Sequence, residues 1–194
     1  MKKFLNINNK ASIYVSRYAF EPYYNSTEKY IGLDTTLKAN SRLIFTDDIY
    51  EIEPGITLYS CNKLSKKFDL GSFGLKMLNH DLSESLNYSR FLPDDFRHEQ
   101  YLMINENDMK ILISGCSHKG ILNIAEWFKP DILIGGFHFS KLPLDYTLKS
   151  YAKYLNQFNT DFYTCHCTGT EQFAFMKNYM NRLFYISAGQ SITI

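Results

Sequence analysis

The sequence predicts an α/β protein in which helices cover a β-sheet. From residue 99 onward, segments typical of strands alternate with segments whose apolar residues recur at helical spacing. One helix is indicated locally, because Asp145 can cap its first turn. After it, Leu148, Ala152 and Leu155 fall on one apolar stripe. Alternating strands and helices build layers, so we expect a sheet with helices packed on it.

The first part of the chain is predicted to contain short strands joined by polar turns. Three segments fit this pattern: residues 11–15 (ASIYV), 42–46 (RLIFT) and 56–60 (ITLYS). Residues 63–97 have weak periodicity and many turn formers, so we expect a long excursion outside the core. Such a segment is either a lid over a binding site or an ordinary surface loop.

The remaining segments are predicted to follow in a regular order. A hairpin comes first, and then a helix, a buried strand, a second helix, another strand, a third helix and a closing strand pair. The predicted hairpin is 99–104 with 109–114, and the predicted helices are 120–128, 145–158 and 170–183. The predicted strands between the helices are 131–136 and 161–166, and the closing pair is 184–187 with 191–194.

Composition and charge narrow the classes of partner. The 194 residues suit a single domain spanning 1–194, and 21 Lys and Arg against 20 Asp and Glu leave a net charge of +1. We therefore expect a small-molecule substrate, and neither nucleic acid nor a membrane as partner. No apolar run has the length of a signal peptide core or of a membrane span. The expected location is cytoplasmic, where the four cysteines would be reduced thiols.

Three histidines follow predicted strands, each within a turn that contains small residues. They are His118 in GCSH, His138 in GGFH and His166 in HCTG. Loops at the carboxyl ends of strands are where sheets of this type bind ligands. Imidazole is a common metal ligand, so the three turns predict a metal site.

The neighbouring thiols leave other readings open. Cys116, Cys165 and Cys167 could join the histidines in a sulfur-rich zinc site, although their spacing is not that of zinc knuckles. Strand alternation would separate His166 from both adjacent cysteines unless the strand has already ended. A cysteine nucleophile, either Cys116 with His118 or Cys167 with His166, is a third reading.

The motifs HEQYLMI, ISGCSHKGILNI, DILIGGFH and YTCHCTG, taken in order, resemble those of the metallo-β-lactamase superfamily. The branch they resemble is the metal-dependent hydrolases similar to 7,8-dihydropterin-6-methyl-ribofuranosylaminobenzene phosphate synthase. This resemblance implies an αββα sandwich of mixed sheets covered by helices. It implies that His118 and His166 bind the metal, which is zinc, or else manganese or iron. Residues expected beside the substrate or behind the ligands are His138, Glu99, Cys116 and Cys167.

One motif of that family is missing from the sequence. The H-x-H-x-D-H segment, which supplies most ligands and the water-activating carboxylate, is expected just before Met1 and has no replacement, since His80 and His98 stand alone. We therefore expect an incomplete, N-terminally truncated sandwich. Its hydrolysis of phosphate or cyclic esters by metal-activated water would be impaired, and no catalytic residue can be named.

The alternative to an impaired hydrolase is a non-catalytic remnant of the fold that dimerises or binds a ligand or metal. Loss of N-terminal strands would expose a sheet edge, and this edge would allow a homodimer.

Overall fold

A computed structural model describes residues 1–79 and 89–193 of the chain. Its helices are α1 (Lys2–Ile7), α2 (Ile121–Phe128), α3 (Tyr146–Leu155) and α4 (Thr170–Lys177). Its strands are β1 (Ile13–Ser16), β2 (Tyr23–Tyr24), β3 (Leu43–Thr46), β4 (Ile49–Glu53), β5 (Ile56–Tyr59), β6 (Lys76–Leu78), β7 (Phe91–Pro93), β8 (Tyr101–Glu106), β9 (Met109–Ile113), β10 (Ile132–Gly135), β11 (Asp161–Thr164) and β12 (Leu183–Tyr185).

The main sheet has seven strands in the order β12-β11-β10-β9-β8-β5-β4. Strands β8 and β9 form an antiparallel hairpin, whose turn residues Asn107 and Asp108 both have positive φ. Strands β9 to β12 are parallel, because a helix returns the chain between each pair. The carboxyl ends of β9, β10 and β11 therefore meet at one edge of the sheet.

The helices cover one face of this sheet and form the main core with it. A row of side chains in register crosses five strands and is at most 5% exposed: Met103, Leu112, Leu133, Phe162 and Leu183. Helices α2, α3 and α4 contribute further buried residues to the same cluster. The α/β arrangement predicted from the sequence, with a sheet covered by helices, is confirmed.

Two smaller sheets complete the fold. The parallel pair β1–β3 has its own small core of Val15, Phe20 and Leu43. It approaches the main sheet near β4, where the rings of Tyr14 and Tyr50 are 5.7 Å apart. The other sheet is antiparallel, with the order β2-β6-β7.

Several sequence-based boundaries were wrong. Residues 63–97 are not only a loop, because they contain β6 and β7, which at three residues each are too short to show periodicity. Strand β4 was missed because glutamates alternate with its apolar residues. Helix α4 ends at Lys177 rather than near residue 183. Residues 191–193 form no strand, and His80 lies outside the described residues.

Within the described residues, no helix has both the length and the apolar character needed to cross a membrane.

We predict that Leu112→Ala lowers the free energy of unfolding by about 2–5 kcal/mol, because it empties a fully buried position beneath the helices. The matched control is Leu144→Ala, since that leucine is 47% exposed and its truncation should cost less than about 0.5 kcal/mol. Urea unfolding of both variants measures the difference. Equal losses would contradict the assignment of this face as the core.

Candidate metal centre

The loops that follow β9, β10 and β11 lie side by side because these strands are parallel neighbours. They bring together five potential metal ligands, which form two groups. The first group is Cys116, His118 and His138, and the second is Cys116, His166 and Cys167. Within each group the ligand atoms all lie within 4.8 Å of one another, and Cys116 belongs to both.

The loop after β9 is held by the carboxylate of Glu99, which is 9% exposed. The backbone N–H groups of His118 and Lys119 donate to its two oxygens at 2.7 and 3.0 Å. The Tyr101 hydroxyl also donates to it, at 2.6 Å. One carboxylate oxygen lies 3.4 Å from His118 Nδ1. Glu99 therefore fixes both the backbone of this loop and the position of its imidazole.

Charge balance explains why a carboxylate is tolerated at this depth. Burial alone would raise the pKa of Glu99, but hydrogen bonds from His118, Tyr101 and Lys119 outweigh it and hold that pKa below its usual range. The adjacent Lys119 is also buried, and its ammonium donates to the Ser60 carbonyl and to Asn62 Oδ1. The two charges thus offset one another beneath the loop.

The loop after β10 depends on a glycine. A Cβ at Gly136 would overlap Cys167 Sγ, so only glycine lets this thiol approach. The next residue, Phe137, donates its backbone N–H to Thr168 Oγ1 at 2.8 Å and ties this loop to the one after β11. His138 then takes a positive φ of 56°, which turns it toward His118, with ring centres 4.5 Å apart.

The loop after β11 turns sharply, since the strand ends at Thr164 and His166–Thr168 form a 3-10 turn. Because the strand has ended, His166 and Cys167 can join one group, whereas Cys165 belongs to neither. Cys116 Sγ lies 3.8 Å from His166 Nδ1, and the Cys167 thiol donates to the Cys116 carbonyl at 3.7 Å. All four cysteines are free thiols.

Aromatic rings cover the histidines. Phe96 stacks on His118 with ring centres 4.9 Å apart and planes inclined by 20°, and Phe73 lies 4.5 Å from the His138 ring. Both aromatic residues come from the 63–97 segment, which therefore packs on the candidate site. The sequence left open whether this segment is a lid or a surface loop, and these contacts favour a cover.

The electrostatics of the cluster favour a thiolate beside a charged imidazole. Hydrogen bonds from Cys167, and then from His118 and His138, lower the pKa of Cys116. The pKa of Cys167 is raised by its hydrogen bond to Cys116 and by burial. Burial lowers the pKa of His118, but its hydrogen bonds with Cys116 and Glu99 outweigh this and raise that pKa to about 9.

A metal ion fits this donor set by two criteria. Within the described residues, His138 Nδ1 is buried without a hydrogen-bond partner, and a metal ion is one group that would satisfy such a nitrogen. Two sulfurs and three imidazoles suit zinc, whereas manganese prefers oxygen ligands. No carboxylate of the described residues belongs to either group.

The structure groups the site residues differently from the sequence-based prediction. His118 and His166, predicted as metal ligands, lie in different groups that meet at Cys116. His138, Cys116 and Cys167, predicted beside the substrate or behind the ligands, are placed among the potential ligands themselves. Glu99 lies behind His118, as that prediction allowed. His98 lies elsewhere, 3.8 Å from an Asp94 oxygen.

Comparison with known proteins supports the fold. No family model and no curated protein matches the sequence. A solved structure, Tm1679, described as a metal-dependent hydrolase of the β-lactamase superfamily, is similar with a TM-score of 0.75 and 24% identity. The match covers 96% of this chain and 73% of the other, so about a quarter of that protein has no counterpart here. The predicted metallo-β-lactamase-type sandwich is thereby confirmed as a fold.

We predict that Glu99→Ala lowers the free energy of unfolding by about 3 kcal/mol or more, because it leaves three donors without their acceptor. Tyr101→Phe, which removes one of these bonds, should cost about 1.5 kcal/mol. Glu106→Ala is the matched control, because this glutamate is exposed at the end of β8. Urea unfolding measures all three, and a loss for Glu99→Ala no larger than the control's would contradict the role assigned to Glu99.

Proposed function

We propose that this chain binds zinc at the five-ligand cluster and is a metal-dependent hydrolase with weak activity toward phosphate esters. The observation that carries the proposal is the convergence of two ligand groups on Cys116. Either Cys116, His118 and His138 or Cys116, His166 and Cys167 would hold the ion, and three protein ligands leave a position for water. Zinc bound there would lower the pKa of a water molecule to about 7 and polarise a substrate oxygen.

The surrounding residues prepare this chemistry. Glu99 keeps the His118 ring oriented through the 3.4 Å contact to Nδ1, as carboxylates commonly do behind metal-binding histidines. Phe96 and Phe73 pack on the two imidazoles and shield part of each ring from water, with the His118 side chain still 20% exposed. Lower water content strengthens every electrostatic interaction within the cluster.

A cleft that is lined by Lys119, the residue after His118, but by none of the five potential ligands supports an anionic substrate. Its volume is about 330 Å³, and its charged lining residues are Lys66, Arg97, Lys119 and Asp95. Asp95 pairs with Arg97 at 2.6 Å and Lys119 offsets Glu99, so the positive charge that the lining keeps is that of Lys66. Lys66 Nζ lies 5.9 Å from the centre of the Phe96 ring, which stacks on His118. A phosphate ester is favoured over an uncharged cyclic ester for this reason.

Weak activity is expected because neither ligand group contains a carboxylate that could accept the proton of the attacking water. Glu99 is the nearest candidate, but three donors already occupy it. General-base catalysis typically contributes about 10²–10⁴-fold to a rate, and its absence would reduce turnover by that order.

The alternative is a non-catalytic metal-binding remnant of the fold. The sulfur content of the cluster favours it, because closed zinc sites rich in cysteine are usually structural. Zinc binding is common to both proposals, so only turnover separates them.

Zinc affinity tests the ligand set. We predict that Cys167→Ser weakens zinc binding by more than about 100-fold, since even residues behind the ligands are worth about 10–100-fold. Cys165→Ser, two residues away and outside both groups, should leave the affinity unchanged. Competition with a chromogenic chelator measures both variants. Equal affinities in the two variants, or no zinc uptake by the unaltered chain, would overturn the proposed site.

Turnover tests the proposed reaction. We predict that the zinc-loaded chain hydrolyses bis(4-nitrophenyl) phosphate and that chelation or His118→Ala reduces the rate to background. Cys165→Ser serves as the control and should keep the full rate. Zinc uptake without hydrolysis would favour the non-catalytic remnant, and a rate unaffected by His118→Ala would contradict the assignment of the reaction to this cluster.

A further inference from the structure

The sulfur atoms of Cys116 and Cys167 lie next to each other in the folded chain. They belong to one group whose ligand atoms are all within 4.8 Å of one another. The Cys167 thiol also donates to the Cys116 carbonyl at 3.7 Å, and both residues are free thiols. Because the two residues are 51 positions apart in the sequence, the fold creates this contact, and not the local chain geometry.

The backbone holds the two cysteine loops together over the end of β10. Gly136, which follows β10, donates its N–H to the Gly115 carbonyl at 2.8 Å. The Cys167 carbonyl accepts the N–H of Ser140 at 3.0 Å. A Cβ at position 136 would overlap the Cys167 sulfur and lie 3.4 Å from the Gly115 oxygen. The loops after β9 and β11 can therefore meet here only because Gly136 has no side chain.

A disulfide between these cysteines requires only a short movement of their side chains. The sulfurs of a disulfide are about 2.05 Å apart, so the two atoms must approach each other by less than about 3 Å. Neither residue lies in a strand, since β9 ends at Ile113 and Cys167 is in the 3-10 turn His166–Thr168. Each thiol can therefore change its staggered rotamer without breaking the pairing between strands.

A small oxidant can reach this pair from the solvent. Cys116 is partly exposed, and His166, whose ring lies beside it, is exposed. Cys61, in contrast, is 5% exposed and belongs to neither ligand group. We therefore expect oxidation at Cys116 and Cys167 before oxidation at Cys61.

We propose that Cys116 and Cys167 form a disulfide by exchange with a small-molecule disulfide, such as glutathione disulfide, and that this bond closes the site to zinc. One cysteine sulfur attacks glutathione disulfide, whose S–S bond breaks, and one glutathione leaves. The other cysteine sulfur attacks the resulting mixed disulfide and displaces the second glutathione. Two protons pass from the cysteines to the glutathione sulfurs, so two thiols are oxidised and one disulfide is reduced.

The position of Cys116 makes one disulfide sufficient to disable the site. Cys116 belongs to both ligand groups and Cys167 to one, so the bond removes at least one ligand from each group. Zinc binds the thiolate form of cysteine, and a sulfur in a disulfide cannot adopt that form. The closing of the site rests on the proposed zinc function, whereas formation of the disulfide does not.

Peptide mapping of the chelator-treated, reduced chain tests the disulfide. The chain is incubated with glutathione disulfide, its remaining thiols are alkylated, and trypsin then separates peptide 111–119, with Cys116, from peptide 154–177, with Cys165 and Cys167. We expect the two peptides to be linked, and linked equally in Cys165→Ser, where Cys167 is the remaining partner. In Cys167→Ser the link should be lost, and glutathione should stay attached to Cys116.

Zinc affinity tests the effect of the disulfide on the site. The oxidised chain should bind zinc at least about 100-fold more weakly than the reduced chain, as expected for loss of a ligand. Reduction with dithiothreitol should restore the affinity, and Cys165→Ser should behave like the unaltered chain. Competition with a chromogenic chelator measures each form. Circular dichroism checks that the metal-free chain is folded, and if it is not, the zinc-loaded chain is oxidised instead and should release zinc as the peptides become linked.

Two results would overturn the disulfide: unlinked peptides, or a link that disappears in Cys165→Ser. A zinc affinity that does not change on oxidation would overturn the claim that the disulfide closes the site. A reduced chain that binds no zinc would reject the proposed zinc site, and the linked peptides would still decide whether Cys116 and Cys167 form the disulfide.

Discussion

The buried Glu99 carboxylate is the interaction on which the candidate site depends. It accepts hydrogen bonds from the backbone N–H groups of His118 and Lys119, and one of its oxygens lies 3.4 Å from His118 Nδ1. An anion at this depth is stable only because several donors and the buried Lys119 offset the loss of water. The turn that carries Cys116 therefore has a defined position before any ion binds, and Cys116 is where the two ligand groups meet.

Topology brings the other potential ligands to that turn. Parallel strands β9, β10 and β11 end at one edge, so residues about 20 and 50 positions apart in sequence become neighbours. One face of the same sheet packs under helices α2, α3 and α4, and this packing fixes the strands whose ends carry the potential ligands.

The sequence predicted the repeating part of this fold well, because the β9-to-β12 strands are mostly apolar and alternate with helices. It missed β4, β6 and β7, whose short or charge-interrupted strands gain their stability from pairing. The strand-end histidines were proposed as metal ligands from the turns that contain them. The sequence did not predict which side chains come together at the candidate metal site. That arrangement depends on the end of β11 at Thr164 and on the positive φ of His138 and His166. These backbone states place Cys167 with His166 in a group of potential ligands that Cys116 completes, whereas strand alternation had argued against a shared site for His166 and its adjacent cysteines.

X-ray absorption at the zinc edge of the loaded chain tests the central claim most directly, because sulfur and nitrogen ligands lie at different distances from the ion. Ligation by Cys116 and Cys167 together with histidines predicts a sulfur shell at about 2.3 Å and a nitrogen shell at about 2.0 Å. A spectrum with nitrogen and oxygen neighbours alone would contradict a site centred on Cys116, even if the protein holds zinc.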